Sequence, residues 1–215
     1  MPSVAFRQRE VMLADDPNHS RHNARMKRMK AARDRMQARR TAERGLLIVH
    51  TGNGKGKSSS AFGMAIRSLG WGMRVAILQF VKGTWETGEG NFFAGLDTDR
   101  LSFESMGEGF TWDTQDRARD IAAAARGWDR AKALILNPDI DFVILDEINI
   151  VLADETLPFA DVLAFMQDRP MTKHICMTGR GARAELIGIA DLVTEFSEVK
   201  HPFQAGFNAQ KGVEY

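Results

Sequence analysis

The sequence predicts an α/β protein: a mostly parallel sheet with helices on both faces, preceded by a basic helical arm. Three observations carry that prediction. Short apolar runs such as Leu46-Leu47-Ile48-Val49, Val75-Ala76-Ile77-Leu78-Gln79-Phe80 and Phe142-Val143-Ile144-Leu145 lack polar alternation, as strands covered on both faces do. Segments with apolar residues at helical spacing alternate with these runs, which is the pattern of crossover units in a parallel sheet. The first 44 residues differ from the rest in composition and charge.

Residues 1–18, with Pro2, Asp15-Asp16 and Pro17, read as a loose tail. From His19 to about Arg44 there is no Gly or Pro, and Ala, Arg, Lys and Met dominate, so this stretch reads as helix. Met26, Met29, Ala32 and Met36 form a thin apolar stripe along it. Residues 1–44 hold 12 Lys/Arg against 5 Asp/Glu, a surplus of +7, which leaves 17 against 23, or −6, for the remainder. Such an arm could bind nucleic acid, a polyphosphate ligand or the protein's own acidic body, or could be a solvated helix with no ligand. Composition leaves all of these open.

The body, residues 45–215, reads as one domain. After the first run comes a glycine-rich turn, then a helix from Ser58 to Leu69 with Phe62, Ala65, Ile66 and Leu69 on one face. Lys82 to Gly95 reads as a long loop, Leu101 to Glu104 as a short strand, and Ser105 to Thr114 as a second irregular loop. Gln115 to Leu136 reads as a helix, with Ile121, Ala124, Ala125, Trp128, Ala131 and Ile135 at core spacing. A helix over Pro158–Asp168, a strand over Lys173–Met177, a helix from Ala184 and a strand over Leu192–Phe196 complete the alternation.

Bulk properties exclude several classes. The 215 residues are 44% hydrophobic and 27% charged, as in a globular domain. No apolar run reaches the roughly 18 residues that span a bilayer, and the N-terminus lacks the apolar core of a secretory signal, so a cytoplasmic protein without a membrane partner is expected. The single cysteine, Cys176, cannot form an intramolecular disulfide or a cysteine-rich zinc site, and reads as a buried thiol. His50 and His174 read as structural.

The chemistry-bearing signal is Thr51-Gly52-Asn53-Gly54-Lys55-Gly56-Lys57-Ser58-Ser59, set between a strand and a helix. Small residues let successive backbone N–H groups turn inward and cradle phosphate oxygens. Lys57 supplies a point charge, Ser58 can ligate Mg²⁺, and the helix N-terminus adds its positive end. This gives the architecture of a P-loop NTPase of RecA-like kind, with one departure: Thr51 stands where the usual motif begins with glycine. The run ending in Asp146-Glu147 has the form of a Walker B site, whose carboxylates can hold Mg²⁺ directly or through water. Kinases, ATPases and motors share both motifs, so neither fixes a reaction.

Beyond these motifs the sequence resembles the P-loop-type cob(I)alamin adenosyltransferases, from about Gly45 to Tyr215. The resemblance rests on Gly52-Asn53-Gly54-Lys55-Gly56-Lys57-Ser58, Gln79-Phe80-Val81-Lys82-Gly83-Thr84-Trp85, Gly109-Phe110-Thr111-Trp112-Asp113-Thr114-Gln115, Leu145-Asp146-Glu147 and Thr178-Gly179-Arg180-Gly181, with Val199-Lys200-His201 and Ala205-Gly206 behind them. It implies transfer of the 5′-deoxyadenosyl group of ATP to the cobalt of a Co(I) corrinoid, with release of tripolyphosphate. A Co(I) nucleophile needs no general base, so the work left is positioning and charge stabilisation, which Lys55, Lys57, the loop N–H groups, Mg²⁺ and Arg180 suit. The resemblance further implies that Phe110 and Trp112 face the corrin and help remove its axial ligand, Trp85 being a second candidate for that pocket. A cytoplasmic homodimer supplied with electrons by a reductase or flavin is implied too. The rival reading of the residues is a RecA-type ATPase acting on nucleic acid through the arm; against it, no basic stripe with interleaved aromatics continues beyond residue 44.

Overall fold

Apolar runs and amphipathic segments resolve into the expected α/β order, seen in a computed structural model that describes residues 17–39, 42–81, 87–106 and 117–214. The chain divides into two units, residues 1–43 and 44–215. The described part of the first is helix α1 (Pro17–Ala38). Its methionines Met26, Met29 and Met36 are each at least half exposed, so the stripe is not buried by its own helix. The helix was expected to run to Arg44, but residues 42–46 are irregular. Gly45 donates its N–H to the Met171 carbonyl at 2.7 Å, and a Cβ there would fall 1.9 Å from the Lys173 carbonyl oxygen. That close approach requires glycine and commits the chain to the sheet.

In the second unit the described residues form six parallel strands: β1 (Leu47–Thr51), β2 (Val75–Gln79), β3 (Leu101–Ser105), β4 (Phe142–Asp146), β5 (His174–Thr178) and β6 (Leu192–Glu195). Their order across the sheet is β3-β2-β4-β5-β1-β6, so β5 lies between β1 and β4. All C-terminal ends point the same way, and the turns after β1, β4, β5 and β6 gather at one edge.

The unbroken apolar runs are explained by two cores. Leu47, Val49, Leu78, Val143, Leu145 and Met177 pack on one face with Trp128, Ala131 and Ile135 of α4 (Arg117–Leu136) and with Val162 and Met166 of α6 (Phe159–Gln167). The alternate residues Ile48, Val75, Ile77, Phe142, Ile144 and Cys176 pack on the other with Ala61, Phe62 and Ala65 of α2 (Lys57–Gly70). At the far edge from the turns, Asp191 accepts from Leu47 N–H at 2.9 Å and from Arg169 at 2.8 Å, and pairs with Arg44, anchoring the start of β1.

Several expectations are corrected. Within the supposed loop 82–95, Gly88–Ala94 is helix α3, capped by Thr87 and buried through Phe93 against Phe62. Gly88 and Gly90 hide it from propensity, and residues 82–86 lie outside the described residues. Ile148–Ala153 is a short helix α5, where no element was expected. Ile66 of α2 and Ile121 and Ala125 of α4 are exposed; the buried stripe of α4 keeps the expected Ala124, Trp128, Ala131 and Ile135 and adds Gly127 and Leu134. After α7 (Ala184–Ile189), edge strand β6 is exposed along its length, Leu192 and Val193 included. No described helix is long and apolar enough to cross a membrane.

Candidate active site

The turn after β1 begins on a buried strand and ends as the first turn of α2. Gly52 (φ 94°) and Gly56 (φ 106°) take left-handed backbone, which lets the loop curl back over the helix N-terminus. The segment after β6 braces it: Gly54 N–H donates to the Phe196 carbonyl at 2.7 Å, and Phe196 N–H to the Thr51 carbonyl at 2.8 Å. The departure from the usual first glycine has a structural reason. Thr51 Oγ1 accepts the Ala182 N–H at 3.1 Å, tying the loop's origin to the turn that carries Arg180.

Lys57 is buried, with its Nζ donating to the Gly54 carbonyl at 2.6 Å. Burial holds its ammonium below the ordinary lysine value; Glu147 opposes that shift, while the positive charges of Arg180 and Lys55 add to it. Lys55, Lys57, Glu147 and Arg180, which come from three different turns, therefore form one electrostatic cluster. An anion with several charges would relieve its excess of positive charge. Lys55 also pairs with Glu214 near the C-terminus. Ser58, half-buried, and Ser59, exposed, lie in the first turn of α2, and Asn53 is exposed at the loop's tip.

The two carboxylates after β4 differ in setting. Asp146 is fully buried, and both its oxygens are engaged: Gln79 Nε2 donates to Oδ2 at 2.9 Å and Thr178 Oγ1 to Oδ1 at 2.7 Å. Glu147 leaves the strand in left-handed backbone (φ 63°), is partly exposed, and acts on Lys57. Asn149 of α5, also buried, directs its Nδ2 toward the carbonyls of His50, Met177 and Gly179 at 3.3–3.5 Å, joining the ends of β1, β4 and β5. The donors Ser58, Asp146 and Glu147 are all hard oxygens, the type Mg²⁺ takes alongside phosphate oxygens, so the residues present fit that ion.

Among the expected residues, Gly52, Asn53, Gly54, Lys55, Gly56, Lys57, Ser58, Ser59, Asp146, Glu147 and Arg180 lie at the gathered turns. Arg180 is exposed, following β5. Phe110, Trp112 and Trp85 lie outside the described residues. A cavity of about 320 Å³ beside the loop is lined by Asn53, Glu195, Phe196, Ser197 and Glu198. Its two glutamates disfavour a triphosphate there. His50, whose Nδ1 lies 3.1 Å from the Lys57 carbonyl, has its pKa lowered by burial and helps fix the helix start. Burial also pushes up the pKa of the Cys176 thiol, which leaves it inert.

Gln79, Thr178, Phe196 and Asn149 escaped assignment. Gln79 and Thr178 stood inside quoted motifs, but nothing in one dimension shows that strands 30 to 70 residues apart place them on either side of Asp146.

Comparison with known proteins bears on this site. Residues 43–215 match the family described as ATP:corrinoid adenosyltransferase BtuR/CobO/CobP. The chain is 53% identical over 195 residues to a corrinoid adenosyltransferase of Pseudomonas aeruginosa, covering 91% of this chain and 96% of that protein. It is 46% identical to one from Sinorhizobium sp over 201 residues, covering 93% and 94%. With one from Escherichia coli strain K12 the identity is 42% over 195 residues, covering 91% and 98%.

Proposed function

The chain belongs to the ATP:corrinoid adenosyltransferase family, and from that premise we infer how its residues divide the work of moving the 5′-deoxyadenosyl group of ATP to a Co(I) corrinoid. The carrying observation is the Gly52–Gly56 loop between β1 and α2, with Lys57 buried at its end and bonded to the Gly54 carbonyl, within electrostatic reach of Lys55, Glu147 and Arg180. Cobalt donates an electron pair to C5′, the C5′–O bond breaks, and its pair leaves with the triphosphate. Lys57 and the loop N–H groups hold the triphosphate, and Lys55 and Arg180 offset the charge that grows on it. Ser58 and Glu147, with Asp146 behind, would hold Mg²⁺, which supplies further charge neutralisation when bound. Glu214 gives up Lys55 to the incoming phosphates. The test is the product: intact tripolyphosphate in a one-to-one ratio with adenosyl-corrinoid supports this reading, whereas orthophosphate release would overturn it and favour an ATPase. The comparisons support the transfer and not the nucleic-acid ATPase.

We assign the corrin-facing role to Phe110 and Trp112. Phe110→Ala and Trp112→Ala are expected to keep ATP binding and to lose the base-off Co(II) spectrum of the bound corrinoid. Normal base-off conversion in both variants would leave the rings as packing only.

Residues 1–44 are proposed as a basic arm that closes over bound nucleotide or corrinoid, on the strength of its +7 charge. Deleting residues 1–40 is expected to raise the KM for either substrate without lowering the melting temperature of the body; an unchanged KM would refute the lid. A separate cytoplasmic reductase or flavin is proposed as electron source, since a single buried thiol offers no dithiol couple. A homodimer is proposed because Leu192 and Val193 on edge strand β6 are exposed; a monomeric mass in sedimentation would refute it.

A further inference from the structure

Thr178 closes β5 and is fully buried, yet its hydroxyl is used twice. It donates to Asp146 Oδ1 at 2.7 Å and accepts the Glu147 N–H at 2.9 Å. The β4–β5 pairing ends at Leu145 opposite Met177. One residue later, on the β5 side alone, a side-chain oxygen takes over from the main-chain ladder: Asp146 still pairs with Gln79 of β2, and Glu147 then turns into left-handed backbone. Non-glycine residues hold that conformation only where their surroundings over-determine it. Here the over-determination is visible: the Glu147 N–H is claimed by Thr178, while Asp146 is clamped from the other side by Gln79.

We propose that Thr178 is a positioning residue for adenosyl transfer, whose hydroxyl fixes Asp146 and the backbone of Glu147 so that the Glu147 carboxylate faces the phosphate-bound cation. This rests on the reading of Ser58 and Glu147 as the cation donors, with Asp146 behind them. Both functions of the Thr178 hydroxyl are taken up by Asp146 and the Glu147 N–H, so it acts through the two acids. Outer partners that orient metal ligands typically govern affinity by about 10-fold to 100-fold. Thr178→Val keeps shape and volume but leaves the Asp146 oxygen and the Glu147 N–H without this partner, allowing Glu147 to relax toward ordinary backbone. Thr178→Ser keeps the hydroxyl.

The experiment titrates Mn²⁺ into the full-length protein with ATP and follows free Mn²⁺ by electron paramagnetic resonance, alongside ATP affinity measured in EDTA. Thr178→Val is expected to weaken Mn²⁺ binding about 10-fold or more, with cation-free ATP affinity unchanged and Thr178→Ser restoring Mn²⁺ binding to near wild type. Thr178→Ala, expected to behave as the valine variant, serves if that one fails to fold. Equal losses of ATP affinity with and without Mn²⁺, or a lower melting temperature with unchanged Mn²⁺ affinity, would overturn the proposal. Glu147→Gln separates it from its premise. If Glu147→Gln weakens Mn²⁺ binding and Thr178→Val does not, the positioning role alone fails. If Glu147→Gln has no effect, the cation reading fails and takes this role with it.

Discussion

Lys57→Ala is expected to lower turnover by about 100-fold or more while leaving the fold intact. Among the described residues, the side chain hydrogen-bonds to the Gly54 carbonyl of its own loop. The loop's shape does not depend on it, because Gly54 and Thr51 are bound to Phe196 through the backbone. What the substitution removes is a charge preorganised over the triphosphate, where the leaving group gains charge as the C5′–O bond breaks. The loss therefore falls on kcat as well as on ATP affinity. The charge also sets a pH dependence. Burial is the first cause that lowers the Lys57 pKa, so Lys57 gives up its proton below the ordinary value of 10.5. A triphosphate binds the protonated form better, so ATP affinity should fall as pH rises through that lowered value. The alanine variant should lack this alkaline limb. Turnover within about threefold of wild type would remove Lys57 from the chemistry.

The sequence yielded the sheet readily because its strands are short, apolar and bounded by turn residues, and two-sided burial leaves that mark in Leu46–Val49 and Phe142–Leu145. It concealed α3, whose two glycines argue for loop while Phe93 and the Thr87 cap decide for helix. It also concealed α5, an apolar stretch of six residues too short to show a period. The P-loop was legible because local spacing makes it: every donor comes from one turn. The clamp on Asp146 was not, since Gln79, Asp146 and Thr178 meet only through the order β2-β4-β5. The same holds for the Thr51 to Ala182 hydrogen bond, which makes sense of an odd residue at the head of the motif.

Gly52→Ala should do more damage to the folded protein than any other single methyl added to the loop. Two separate penalties meet there. The backbone φ of 94° is strained for any L side chain, at about 1–3 kcal/mol. The added Cβ would also lie 2.4 Å from the Phe196 carbonyl oxygen and 2.8 Å from its nitrogen. Both atoms are main chain, so no rotamer change relieves the overlap. Moving that segment away breaks the Gly54 to Phe196 and Phe196 to Thr51 hydrogen bonds, each worth about 0.5–1.5 kcal/mol. Gly56 offers the internal comparison: its φ is 106°, but a Cβ there meets only the Phe196 ring, at 3.3 Å, and a ring can turn aside. Both substitutions crowd the phosphates and should weaken ATP binding. Melting in the absence of nucleotide distinguishes them. Gly52→Ala is expected to lose about 3 kcal/mol or more, roughly 6–12 °C for a body of this size, and Gly56→Ala about half that or less. Equal melting temperatures for the two variants would mean that the segment after β6 does not brace the loop.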